Sequence, residues 1–254
     1  MRKTPTFVLT LALVGAWGLA SAQTQPNTLC DVREAKPKPG AKAQFEAGLK
    51  THMGWHKKQN DTWTWSVYEI LTGPKQGGYY VESCGHDWKD LAALETNATA
   101  HDADMAATIV PHVEPVMRSM WRYRTELSRT TPADKGAPVY YSGTYLYLKP
   151  EGVSQFEDGL KQTRAIAEKA QYPRTSSWFQ LVNGGEGPAF YQSMPRWTWA
   201  DFEAPTPTLA SIVDDALGKS LADNVRHSMS SSIRYTVSEI LKARPDLSYE
   251  PAKK

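Results

Sequence analysis

The chain has 254 residues, 41% hydrophobic and 22% charged, with 9 Trp and 12 Tyr against only 2 Cys. That composition excludes a disordered chain, a collagen-like repeat and a disulfide-dense miniprotein, and it supplies enough residues for one or two domains with a sizeable core. The formal charge of +2 includes Arg2 and Lys3; without them basic and acidic residues balance, which leaves no electrostatic case for nucleic acid or an anionic membrane as a partner.

Residues 1–22 read as a signal peptide: basic Arg2 and Lys3, an apolar stretch from Phe7 to Ala20, then Ala20-Ser21-Ala22 ahead of Gln23. Small residues at the first and third places before the cut suit signal peptidase, and the apolar stretch is shorter than the roughly 20 residues that span a bilayer. Cleavage after Ala22 is expected, giving a soluble periplasmic or secreted protein with no membrane attachment. In an oxidising compartment Cys30 and Cys84 are expected to pair, the alternative being two separate buried thiols.

A first strand is predicted around residues 30–35, followed by a helix over 41–58 with Phe45, Leu49, His52 or Met53, and His56 on one face. Strands at 63–71 and 79–84 flank the turn-rich Thr72-Gly73-Pro74-Lys75-Gln76-Gly77-Gly78, which indicates a hairpin. A second helix over 103–120, which Pro111 and Pro115 would kink or shorten, leads to a strand at 121–127. The Pro/Gly-containing segment 130–137 reads as a linker, which divides the chain into a first unit at 23–129 and a second at 138–245, with 246–254 as a tail.

The second unit repeats the first. Gln44-Phe45-Glu46-Ala47-Gly48-Leu49-Lys50 returns as Gln155-Phe156-Glu157-Asp158-Gly159-Leu160-Lys161, and the same offset carries Gly73 to Gly184, Trp88 to Trp199 and Asp90 to Asp201. Matches in one register over a whole unit, at a spacing too long for a solenoid, indicate a duplicated domain. The corresponding elements are a strand at 141–148, a helix at 153–170, strands at 176–182 and 189–194, a helix at 209–228 and a strand at 233–240. Each unit is thus β-α-β-β-α-β, the ferredoxin-like plan, in which the first and third strands pair antiparallel. That pairing sets Cys30, at the start of one, beside Cys84, at the end of the other.

With aromatic strands and a Trp-x-Asp-apolar element at Trp88-Lys89-Asp90-Leu91 and Trp199-Ala200-Asp201-Phe202, the chain resembles the dimeric α+β barrel superfamily. The resemblance implies an α+β fold of two tandem units packed sheet to sheet as a pseudo-twofold barrel, and a monomer, because the internal pair replaces a partner subunit. The superfamily spans antibiotic-biosynthesis-type monooxygenases, haem enzymes and members that only bind ligands, so the resemblance does not fix a function.

Haem would require an axial imidazole, for which His101, His112 and His227 are the candidates; none recurs in the other unit. His52 and His56 have a spacing that could hold a metal, but no Glu completes a His-Glu-x-x-His motif, so no metal site is assigned and the pair is expected on a partly exposed helix face. His86 is expected in a loop. Strand alternation groups Trp65 with Glu69, and the duplicate matches Glu69 to Gln180 near Trp178. If this face lines the barrel, Trp65, Glu69, Trp178, Gln180, Arg122 and Arg234 form a site for a small apolar or aromatic ligand. A one-residue shift would send them to the helix-packed face instead, with the aromatics filling the core and the polar groups pairing with one another. The expected role is exported ligand binding, with a barrel oxidoreductase as the alternative.

Overall fold

The computed structural model describes residues 28–130 and 135–252. The predicted signal peptide and the middle of the predicted linker lie outside the described residues. The first half runs β1 (Leu29–Ala35), α1 (Lys42–Lys58), β2 (Ser66–Ile70), β3 (Tyr79–His86), α2 (Leu91–Thr96), α3 (Ala98–Thr108) and β4 (Met117–Tyr123). The second half runs β5 (Tyr140–Leu148), α4 (Val153–Lys169), β6 (Ser177–Asn183), β7 (Ala189–Arg196), α5 (Leu209–Leu217), α6 (Lys219–Ser231) and β8 (Ile233–Ala243).

Two predicted helices are corrected. The one expected over 103–120 starts earlier and ends at Thr108, because Pro111 enters a short 3-10 turn and the chain is extended by Val113, so β4 begins at Met117. The one expected over 209–228 is broken at Gly218, whose φ of 77° no helix accommodates. The other strands and helices agree with expectation to within a few residues.

The eight strands close into one antiparallel barrel in the order β1-β3-β2-β8-β5-β7-β6-β4. Each half supplies four adjacent strands, and the β2–β8 and β4–β6 pairs are the seams between halves. Closure leaves no open sheet edge. Cys30 and Cys84 are direct cross-strand partners on β1 and β3 and are joined as a disulfide.

Outside the barrel each half buries the apolar face of its long helix against the sheet. Phe45, Leu49 and Met53 of α1 pack with Trp65, Val67 and Tyr79, and Phe156 and Leu160 of α4 pack with Trp178 and Phe190. Gly48, inside the repeated heptapeptide, lets α3 close on α1: a Cβ there would lie 1.9 Å from the Thr108 carbonyl oxygen.

The segments following β4 and β8 cross over to the opposite half. Arg124-Thr125-Glu126-Leu127-Ser128 leads into the second half, where Leu127 joins the core under α4 and the Ser128 hydroxyl accepts from the Trp178 amide. Arg244-Pro245-Asp246-Leu247-Ser248 does the same in the first half, with Leu247 in the core under α1 and Ser248 accepting from the Val67 amide. The predicted C-terminal tail therefore begins with a core element.

Candidate functional site

Trp65, Glu69, Trp178 and Gln180 alternate along their strands as expected, but they lie on the helix-packed face. Trp65 and Trp178 are in the two outer cores, Glu69 bonds to Lys42 and Arg244, and Gln180 accepts from Arg124. Arg122 follows inward-facing Trp121 on β4 and so lies on the opposite face. Arg234 bonds to the Leu148 carbonyl and pairs with Glu186. None of the six lines the barrel cavity, a correction to the expected lining. The physical reason is register: the alternation that contains Trp65 and Glu69 packs under α1 and that containing Trp178 and Gln180 under α4, which leaves the other alternation, rich in tyrosines, facing inward.

The interior is a cavity of about 250 Å³ lined by Val32, Tyr68, Tyr80, Glu82, Trp121, Tyr141, Tyr145, Phe179 and Tyr191, with Cys30, Ser177, Ser193 and Leu241. At one side the Tyr145 hydroxyl donates to Tyr80, and Tyr80 and Tyr191 each donate to Glu239 at 3.1 Å. Burial, reinforced by the nearby carboxylate, drives all three phenols well above their usual range, so they remain donors. Glu239 itself is also pushed up by burial.

Glu82 differs from Glu239. It lines the cavity, and desolvation raises its pKa to about 7, with the Tyr68 hydroxyl pulling the other way. A carboxyl that exchanges its proton near neutral pH, among seven aromatic rings, is a candidate functional group. Sequence reading missed it because Glu82 has no match in the repeat: the equivalent position is Ser193. The Tyr-bearing alternation at Tyr68, Tyr80, Tyr141, Tyr145 and Tyr191 was the available signal for the inner face.

A second constellation lies under α1. His52 and His56 are both buried rather than partly exposed, and α3 brings His101 to them, so that one ligand atom from each lies within 4.8 Å of the others. His52 Nδ1 is 2.7 Å from Asp104 and His56 Nδ1 is 2.7 Å from Asp61. Burial holds the His52 pKa down to about 4, against the opposing pull of Asp104. His86 closes β3 instead of lying in a loop; it is buried, stacks on Trp63 and bonds to Ser83.

No protein-family profile matches the chain, and no curated protein matches it by sequence. Solved structures do. An anthrone oxidase-like protein aligns at 11% identity over 91% of this chain and 96% of its own, with a TM-score of 0.55. A candidate monooxygenase from Lactobacillus acidophilus NCFM aligns at 9% identity over 89% and 97%, at 0.53. A mutant chlorite dismutase from Candidatus Nitrospira defluvii, in complex with cyanide, aligns at 8% identity over 88% and 93%, at 0.51. The chain shares the fold of these dimeric α+β barrel proteins; at such identities the likeness is one of fold alone.

The histidines proposed as haem ligands do not line a cavity of macrocycle size. A cavity of about 550 Å³ lies between α4, α6 and the sheet, but its lining, which includes Phe156, Trp178, Met229 and Arg226, contains no imidazole or thiol. His227 is exposed and His112 sits on a 3-10 turn away from that cavity. His101 instead faces a pocket of only about 30 Å³, too small for a macrocycle.

Proposed function

We propose that this is an exported, monomeric protein, built from two duplicated ferredoxin-like units, that binds a small aromatic molecule inside its barrel. The observation that carries the reading is the inner cavity: seven aromatic rings and one carboxyl, Glu82, facing about 250 Å³. A dry cavity of about 150 Å³ accepts a benzene, so this volume suits one or two fused rings. Flat apolar walls supply the affinity, while Glu82 and the serine hydroxyls orient a phenol, amine or carbonyl on the ligand.

A second reading, proton abstraction from the bound ligand as the first step of an oxidation, is favoured by the Glu82 pKa of about 7, which matches a general base to neutral pH. Thermal-shift and calorimetric titration with one- and two-ring phenols, quinones and aromatic amines tests both. Binding to the wild type that is weakened at least tenfold in Phe179→Ala supports the site. Ligand turnover in the presence of dioxygen, abolished by Glu82→Gln with binding retained, would select the second reading. Absence of binding across the panel would refute the proposal.

A further inference from the structure

His52 and His56 point their Nε2 atoms at each other across 3.2 Å. Each ring's Nδ1 is already committed to a carboxylate, Asp104 for His52 and Asp61 for His56, both at 2.7 Å. An ionised carboxylate only accepts, so each Nδ1 carries the donated hydrogen and Nε2 is the atom each ring can offer to a cation. Two Nε2 atoms at 3.2 Å are satisfied either by one shared proton or by a metal cation held between them. Carboxylate–histidine pairs of this kind are the usual outer support of imidazole metal ligands.

The spacing is that of a coordination sphere. Ligands about 2.0–2.1 Å from a tetrahedral Zn²⁺ lie about 3.3–3.4 Å from each other, close to the observed separation. His101 comes in from α3 as the third ring, its centroid 4.9 Å from that of His52 and its ligand atom within 4.8 Å of the other two, and it is the most exposed of the three. The supports are themselves fixed. Asp61 also accepts from the Trp65 indole and the Trp63 amide, and the Asp104 carboxylate takes a longer contact, 3.5 Å, from the Thr108 hydroxyl.

The fold does not require these residues. In the second half the positions matching His52, His56 and His101 are Thr163, Ala167 and Ile212, and the same helix-on-sheet layer forms without them. Beside the rings is a pocket of about 30 Å³, room for a water or a small anion, with Arg33 in its wall; the buried Arg33 Nε has no hydrogen-bond partner. We propose that His52, His56 and His101 bind a first-row divalent cation of the kind imidazole prefers, with Zn²⁺ as the representative, leaving a fourth position open to a water or small anion beside Arg33. This site is separate from the barrel cavity and stands independently of the function proposed for it.

The test is calorimetric titration of the metal-stripped protein with Zn²⁺, with metal content measured after gel filtration. The expected result is one Zn²⁺ per chain, bound at least 100-fold more weakly by His101→Ala and about 10- to 100-fold more weakly by Asp104→Asn, and unaffected by His227→Ala. Because His101 is the least buried ligand, its variant is expected to fold, and thermal melting of the metal-free protein checks this. Co²⁺ loaded into the wild type should give the visible bands of a tetrahedral nitrogen site, absent in His101→Ala. No stoichiometric binding, or binding that His101→Ala leaves unchanged, would overturn the proposal.

Discussion

Arg244, in the segment after the last strand, lies 2.8 Å from Glu46 on the first long helix, nearly two hundred residues earlier in the chain. The same guanidinium reaches Glu69 at 3.0 Å and Asp246 at 2.9 Å. Arg124 mirrors it in the opposite direction, bonding Glu157, Gln180 and Glu126. Each half thus sends an arginine to close the helix–strand corner of the other, which ties the stability of the two halves together.

Arg244→Ala should lower unfolding stability by about 2–3 kcal/mol, because in a largely shielded corner it leaves Glu46 with only the Tyr79 hydroxyl and Glu69 with only Lys42. Urea denaturation monitored by both fluorescence and circular dichroism checks this. Since the arms exchange between halves, a single transition should persist in the variant; two separated transitions would show that the halves unfold independently.

The Glu46 carboxyl is held below its usual range, first by the hydrogen bond from Arg244, against a smaller opposing effect of burial. A depressed carboxyl contributes stability that is present above its unfolded value of 4.5 and lost as pH falls through the folded value. Stability should therefore decline in acid below about pH 4.5, and Arg244→Ala should flatten that decline. Urea midpoints across the acidic range give the comparison.

Glu82 has the opposite sign. With its folded pKa raised to about 7 from 4.5, the folded state holds this proton more tightly than the unfolded chain, so stability falls as pH rises from 4.5 towards 7. The loss is up to about 3 kcal/mol on the usual conversion. Glu82→Gln should remove that slope while leaving stability at pH 4 close to wild type, which thermal melts at matched ionic strength will show.

Reduction of Cys30–Cys84, which closes a separation of 54 residues, should destabilise the chain by up to about 4 kcal/mol. Denatured, unreduced protein should show no titratable thiol. A Cys30→Ser/Cys84→Ser variant with unchanged stability would contradict this.

The strand–helix order and the Cys30–Cys84 pair were legible because they depend on local pattern: helical apolar spacing, glycine-rich turns and the antiparallel plan. The inward face was not, because alternation groups Trp65 with Glu69 without saying which side faces the helices. The two sides of a closed barrel are both apolar, so burial alone does not separate them. The arginines paired with Glu69 and Gln180 proved to be Arg244 and Arg124, whose Arg-x-acidic-Leu-Ser pattern recurs at a different offset from the main repeat, since β8 both starts later than the repeat would place it and is four residues longer than β4. The histidine cluster joins residues about 50 positions apart, and only the packing of α3 against Gly48 brings His101 to it.

Isotope-filtered NMR of the protein with a bound aromatic ligand tests the barrel interior as the ligand site most directly. Intermolecular NOEs from the ligand to the rings of Tyr145, Tyr191 and Phe179 are predicted. NOEs confined to Trp65 or Trp178, on the helix-packed face, would contradict it.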